Sequence, residues 1–258
     1  MWWSVSTLGH MTLKALTAAQ AEQFSRDGYC IVPGFLSPED ITYIKAYYQR
    51  AAAAESASAS AADGTAWDQD GSAAPVLRRV PAPFDNDAGF RGIFGSPRVL
   101  DHVEDLMGPR IYLHSSKLIF KPARSGRRKP MHQDLAYWTD LSARQLTLWC
   151  AIDPATPERG GIELLPGSHK QLLPHEDLDD YQVRENTLDL STVEAAVMEP
   201  GDALFLDVLT VHASARNRSD HDRLASVVNY YSEPKNATQV SRYGSTRPLR
   251  DAPLPQNS

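Results

Sequence analysis

After Pro97 and a short helix candidate at Leu100–Met107, the chain breaks into short apolar runs: Ile111–Phe120, Gln145–Ile152, Ile162–Leu165, Ala203–Leu206 and Leu224–Tyr231. Proline, glycine and charged turns separate them, so each reads as a strand. Many short strands behind an initial helical region predict a β-sandwich or barrel with helices packed outside.

The region before the strands carries two legible helix starts. Thr17 followed by Gln20 resembles a capping box, and that helix should run through Phe24 and end near Gly28. Ser37-Pro38-Glu39-Asp40 offers an N-cap, a first-turn proline and early acids, with Leu36 placed to staple onto Ile41. Ile41, Ile44 and Tyr48 supply the apolar stripe of this second helix. Tyr29–Val32 between the two is a short strand candidate. The alanine-rich run Ala51–Ala62 can prolong the second helix, until its serines and Asp63-Gly64 favour a surface excursion. A lid over residues 51–74 is the sharper alternative.

Composition removes several functions. The 258 residues suit one large domain, and 42% hydrophobic content can fill its core. A formal net charge of -6 argues against a general nucleic-acid binder. Cys30 and Cys150, the only cysteines, both sit in apolar runs and read as buried thiols rather than a disulfide or zinc pair. No stretch approaches about 20 consecutive apolar residues, so no membrane span is expected. Met1–Met11 lacks the basic flank and apolar core of a secretory signal, and a soluble cytoplasmic protein is the default expectation.

The chemistry centres on Met131-His132-Gln133-Asp134. In an extended segment His132 and Asp134 share one face, and Gln133 points away. A second histidine, His212, ends the apolar run Val208–Val211, and barrel folding can bring the three together. Two neutral imidazoles and one carboxylate form the facial triad of non-haem iron oxygenases, with positions left for co-substrate and oxygen. His-x-Asp alone is equally a surface or packing feature, and His212 alone could be a satisfied core histidine. Arg223, eleven positions after His212 across a polar turn, adds a cation. Buried, it needs an anion: either a dicarboxylate co-substrate or a protein carboxylate.

At this point the chain resembles the phytanoyl-CoA dioxygenase family, which includes ectoine hydroxylase-like enzymes. The matching blocks begin with Asp27-Gly28-Tyr29, Pro33-Gly34-Phe35-Leu36, Lys117-Leu118-Ile119-Phe120-Lys121-Pro122 and His132 to Trp138. Trp149-Cys150-Ala151-Ile152-Asp153, Pro166-Gly167-Ser168-His169-Lys170, Pro200-Gly201-Asp202 and His212-x-Ser214 follow in order. Together they cover roughly residues 16 to 231. The resemblance implies a mainly β fold, a double-stranded β-helix (a jelly-roll or cupin-like barrel) with N-terminal and peripheral helices. One domain would span 1–258, with a helical region at about 16–107 and the barrel core at about 111–232.

It also implies Fe(II), 2-oxoglutarate and O2, with succinate and CO2 as products and a small-molecule or natural-product substrate hydroxylated. His132, Asp134 and His212 would be the iron ligands. Arg223 would bind the distal carboxylate of 2-oxoglutarate and Ser214 would donate beside it. Trp149 would pack against the co-substrate, and Lys117 would assist a carboxylate or meet an acidic substrate. Desaturation, cyclisation or epimerisation would use the same cofactors, whereas an intact Asp134 disfavours halogenation. A non-catalytic β-barrel binding protein is the alternative of a different class.

Gln133, Tyr137 and Trp138 adjoin the ligands and could shape a substrate pocket or simply pack. His169 reads as part of a stabilised turn. Lys121–Lys129, with five basic residues, could guide an anionic substrate, although a proline-bounded charged loop is more often a solvated face. Arg78 and Arg79 could reach the pocket, and Tyr243–Pro248 could cover the barrel or form a tail.

Overall fold

The computed structural model of the protein describes residues 12–57, 66–68, 76–137, 144–178, 180–232 and 248–251. Helix α1 (Ala18–Asp27) starts on the expected capping box: Gln20 N–H donates to Thr17 Oγ1, and Thr17 N–H donates to Gln20 Oε1. It stops at Gly28, which takes a left-handed φ of +86° and closes the last turn onto Phe24 O. Strand β1 (Tyr29–Val32) leads to helix α2 (Pro38–Ala57), where Ser37 and Asp40 exchange main-chain and side-chain hydrogen bonds at the N-terminus. Strands β2 (Ala66–Asp68) and β3 (Val76–Pro81) follow. Three short helices come next: α3 (Pro83–Asn86), α4 (Ala88–Phe94) and α5 (Pro97–Met107).

The remaining strands are β4 (Arg110–Lys121), β5 (Lys129–His132), β6 (Gln145–Ala151), β7 (Ile162–Leu164), β8 (Glu176–Asp177) and β9 (Tyr181–Gln182). They continue with β10 (Glu194–Ala196), β11 (Ala203–Asp207), β12 (His212–Ser214), β13 (Arg223–Tyr231) and β14 (Pro248–Asp251). The large sheet runs β1-β11-β6-β13-β4-β3-β2, with β14 also on β4, and the small sheet runs β10-β7-β12-β5. All pairings are antiparallel. This is the expected double-stranded β-helix, built as two open sheets facing each other.

Period-two alternation divides the core. Leu146, Leu148 and Cys150 of β6, with Leu224, Val228 and Tyr230 of β13, turn outward to meet Phe24, Ile44, Phe90, Phe94 and Val103 of the helices. Trp149, Ala151, Ala225 and Val227 turn inward and meet Ile162 and Leu164 of the small sheet. β13 is buried along its whole length because helices and small sheet cover its two faces. Both cysteines are free and buried, as their apolar settings predicted.

Three local expectations need correction. His212 opens β12 rather than ending a strand, because residues 208–211 form a turn in which Thr210 N–H donates to Asp207 O. His132 and Asp134 do not share one strand: β5 ends at His132, and Asp134 begins a 3-10 turn, Asp134–Tyr137. β3 was not anticipated, since Arg78 and Arg79 interrupt its apolar pattern. Most of Ala51–Ala62 is helical through Ala57, and the rest of that segment lies outside the described residues, as do Trp138 and residues 243–247.

Gly28 ties the end of α1 to the end of β11 and the turn that follows it, because its carbonyl accepts Asp207 N–H and the Thr210 hydroxyl. A Cβ here would lie 2.3 Å from Thr210 Oγ1 and 2.5 Å from His169 Nδ1. Gly28→Ala combines that clash with the strain of positive φ and should destabilise the fold by about 1–3 kcal/mol. Chemical denaturation measures the change; an unaltered midpoint would show that the turn relaxes freely.

Candidate metal centre

The pairing of β5 with β12 sets His132 opposite His212, and the ring centroids are 4.2 Å apart. Each Nδ1 is held by a carbonyl two residues back: Pro130 O for His132 and Thr210 O for His212, both at 2.9 Å. Those acceptors put the proton on Nδ1 and leave the Nε2 lone pairs free. Both Nε2 atoms face the same Asp134 oxygen, Oδ1, at 3.7 Å and 3.9 Å. The three donor atoms lie within 4.8 Å of one another.

Electrostatics prepares this set for a cation. Burial, with His132 alongside, pushes His212 down to about 4, so its imidazole is neutral at neutral pH. Burial would raise the Asp134 carboxyl, and the Lys117 charge nearby opposes that and favours the carboxylate. Its second oxygen accepts the Thr147 hydroxyl at 2.7 Å. Asn229 Nδ2 in turn donates to Thr147 Oγ1 at 2.7 Å, which commits the threonine proton to Asp134. Two imidazole nitrogens, each set opposite its carbonyl-held Nδ1, and one oriented carboxylate fit a non-haem ferrous ion. Thr147 and Asn229 escaped sequence reading because nothing local links them to Asp134.

A cavity of about 780 Å³ opens beside the triad, and Lys117, Trp149 and Ser214 also line it. Lys117 is half-buried on β4, and desolvation lowers its pKa despite the nearby Asp134 charge. Arg223 heads β13 and is 1% exposed. Its Nη2 donates to Gly160 O at 2.9 Å, whereas Nε and Nη1 are buried with no partner among the described residues. The guanidinium lies 5.4 Å from the centre of the Trp149 ring. Burial draws Arg223 down to about 10, still cationic at neutral pH. An enclosed guanidinium with two unanswered donors fits a carboxylate ligand.

Other residues sort differently from expectation. Gln133 is fully buried outside the cavity lining; its amide donates to Gln171 O and Leu209 O, and its Oε1 accepts Leu173 N–H. Those bonds make it a strut between loops rather than a substrate contact. Tyr137 is exposed, stands edge-on to His132 at 5.8 Å and donates to Tyr181 O at 2.6 Å. His169 packs under Gly28 and contacts Ser25 O, the structural role its motif suggested. The basic run is not merely a solvated face: Arg127, Arg128 and Lys129 line the cavity, and Lys121 is buried in its wall. Arg78 and Arg79 line it too.

A model of the family described as phytanoyl-CoA dioxygenase (PhyH) matches residues 24–225. The peroxisomal phytanoyl-CoA dioxygenase of Bos taurus is 33% identical over 141 residues, spanning 50% of this chain and 42% of that protein. The chain thus covers less than half of that relative. The methylphosphonate hydroxylase of Gimesia maris is 28% identical over 238 residues, spanning 90% of this chain and 87% of that one. Among solved structures, EctD from S. alaskensis with 2-oxoglutarate and 5-hydroxyectoine superposes with a TM-score of 0.77 at 22% identity, covering 93% of this chain and 89% of that one. At that identity the superposition establishes the shared fold.

Thr147→Val keeps the shape of the side chain and removes the hydrogen bond that orients Asp134. Divalent-metal affinity should fall by about 10–100-fold, the usual cost of losing such a support. Calorimetric titration with Mn(II) reads it, and unchanged affinity would show that Asp134 needs no orienting partner.

Proposed function

The chain belongs to the phytanoyl-CoA dioxygenase family, and we propose that it is an Fe(II)- and 2-oxoglutarate-dependent dioxygenase that hydroxylates a small, negatively charged molecule. The observation that carries this reading is a His-Asp-His donor set beside a cavity, with an under-bonded arginine buried against Trp149 of its lining. His132, Asp134 and His212 hold the iron. Arg223 takes the distal carboxylate of 2-oxoglutarate, with the Ser214 hydroxyl as a further donor. Trp149 packs against the co-substrate between them, and Lys117 balances charge near Asp134. The bound iron, with 2-oxoglutarate and O2, supplies the oxidising power and leaves succinate and CO2. The protein supplies orientation and a site enclosed by two sheets.

Asp134 as a carboxylate ligand favours oxygenation over halogenation. Hydroxylation is distinguished from desaturation, cyclisation or epimerisation by the mass of the product. A non-catalytic binding protein would need neither the neutral Nε2 pair nor the oriented carboxylate.

Charge supports an anionic substrate. The chain carries a net charge of -6, yet Arg78, Arg79, Arg127, Arg128 and Lys129 all line the cavity. The lining acids are Asp134, aimed at the two histidines, and Asp180, paired with Lys129. Arg128 is paired with Glu185. A cationic mouth on an acidic chain concentrates anions. The relative named for methylphosphonate and the structure holding 5-hydroxyectoine are consistent with small substrates.

Succinate release from 2-oxoglutarate should require added Fe(II) and vanish with a chelator. Arg223→Gln should raise the KM for 2-oxoglutarate by about 30-fold or more, the equivalent of about 2 kcal/mol. An unchanged KM would remove Arg223 from the co-substrate site. Small carboxylates and phosphonates should accelerate 2-oxoglutarate consumption more than neutral isosteres, and salt should weaken that preference. Equal stimulation by neutral compounds would contradict an anionic substrate.

A further inference from the structure

Lys121 ends β4 inside the cavity wall and is 4% exposed. Its stem is caged: a Cβ on Gly126 would lie 3.3 Å from Lys121 Cγ, and one on Gly160 would lie 3.0 Å from Cδ. Its Nζ lies 2.8 Å from Ser214 Oγ, 3.2 Å from Ser214 O and against Ala215 O. Three oxygens thus surround the nitrogen, and none of them is a carboxylate. Gly160, which walls the stem, also accepts Arg223 Nη2. Lysine and arginine therefore meet at Gly160, Lys121 in the cavity wall and Arg223 buried beside it.

We propose that Lys121 is a positioning residue for 2-oxoglutarate: as an ammonium it donates to Ser214, which turns the serine proton into the cavity toward the incoming carboxylate, and it takes up a solvent proton as that carboxylate binds. The inference rests on the 2-oxoglutarate reading above. Its physical basis is the inventory of hydrogens. A lysine ammonium can only donate, so Ser214 Oγ must accept and its own proton is left for the ligand. A neutral amine carries a lone pair that can accept the serine proton instead, which turns the hydroxyl away.

Without an anion this corner resists the charged form. Burial, then the charges of Arg223 on β13 and Arg78 on β3, push Lys121 down to about 6, opposed only in part by Glu163 on β7. A carboxylate beside Arg223 reverses the balance and raises the lysine. The sign follows. A group whose pKa rises on binding takes up a proton between its free and bound values, so 2-oxoglutarate affinity is greatest below about pH 6 and declines as pH rises through the bound value.

The test is calorimetric titration of 2-oxoglutarate into anaerobic Mn(II)-loaded protein in buffers of different ionisation enthalpy at about pH 7.5. Wild type should take up close to one proton per 2-oxoglutarate. Lys121→Met keeps the stem and should take up none, with affinity lowered about tenfold and no longer dependent on pH over this range. Lys121→Arg, cationic at every accessible pH, should bind without proton uptake. Ser214→Ala should bind more weakly and keep the uptake, because the lysine remains. A wild type that binds 2-oxoglutarate without taking up a proton overturns the proposal, whether or not the Lys121→Met protein folds. So does Lys121→Met with unchanged affinity and uptake. Failure of metal-loaded wild type to bind 2-oxoglutarate at all would instead sink the underlying reading of the site.

Discussion

The antiparallel register of β5 against β12 puts His132 and His212 on facing positions, and the metal centre depends on that pairing. Strand side chains alternate, so a slip by one residue would turn either imidazole out of the site and carry every neighbour with it. β12 is pinned on its other edge by β7, where His212 faces Leu164 and Ser214 faces Ile162. The hydrophobic contacts of Ile162 and Leu164 with Trp149 and Val227 fix the small sheet against the large one. Apolar packing between the sheets thereby sets the positions of two polar nitrogens.

Around that pairing some buried charges are steadied by neighbours and others are left with unanswered donors. Asp134 is steadied from the large sheet through Thr147 and Asn229, while each imidazole is held by the carbonyl two residues before it. This leaves one carboxylate oxygen and two nitrogens facing inward. Arg223 is the complementary case, a cation with a single carbonyl for company. Leaving such donors buried and unpaired is costly, and a ligand carboxylate removes the cost. The same logic extends to Lys121, whose three oxygen neighbours include no carboxylate to hold a charge on it.

Much of this was legible from residue types. The capping box at Thr17, the stop at Gly28 and the strands β4, β6, β11 and β13 follow from local rules of helix ends and hydrophobic alternation. His132, Asp134, His212 and Arg223 stood out by residue type and by the resemblance of the ordered blocks to the family, and the structure groups the first three. What sequence could not supply was register and orientation. Asp134 reaches the histidines from a 3-10 turn, not from the period-two face of a strand. Gln133 looked like a pocket residue by adjacency, yet its amide is consumed by three loop backbone groups. Lys121 sits in a basic run whose composition suggests solvent, and only the fold shows that its stem passes between two glycines into the cavity wall. Thr147 is invisible as a supporting residue until β6 is placed beside Asp134.

The central claim is that one cavity holds the metal and the co-substrate together. Linked equilibria make that measurable: each ligand must strengthen the other by the same factor. The direct measurement is the affinity for 2-oxoglutarate with and without Mn(II), alongside the affinity for Mn(II) with and without 2-oxoglutarate. The account predicts a large, equal enhancement in both directions, abolished in His212→Ala. Equal 2-oxoglutarate affinity in metal-free and metal-loaded protein would contradict it.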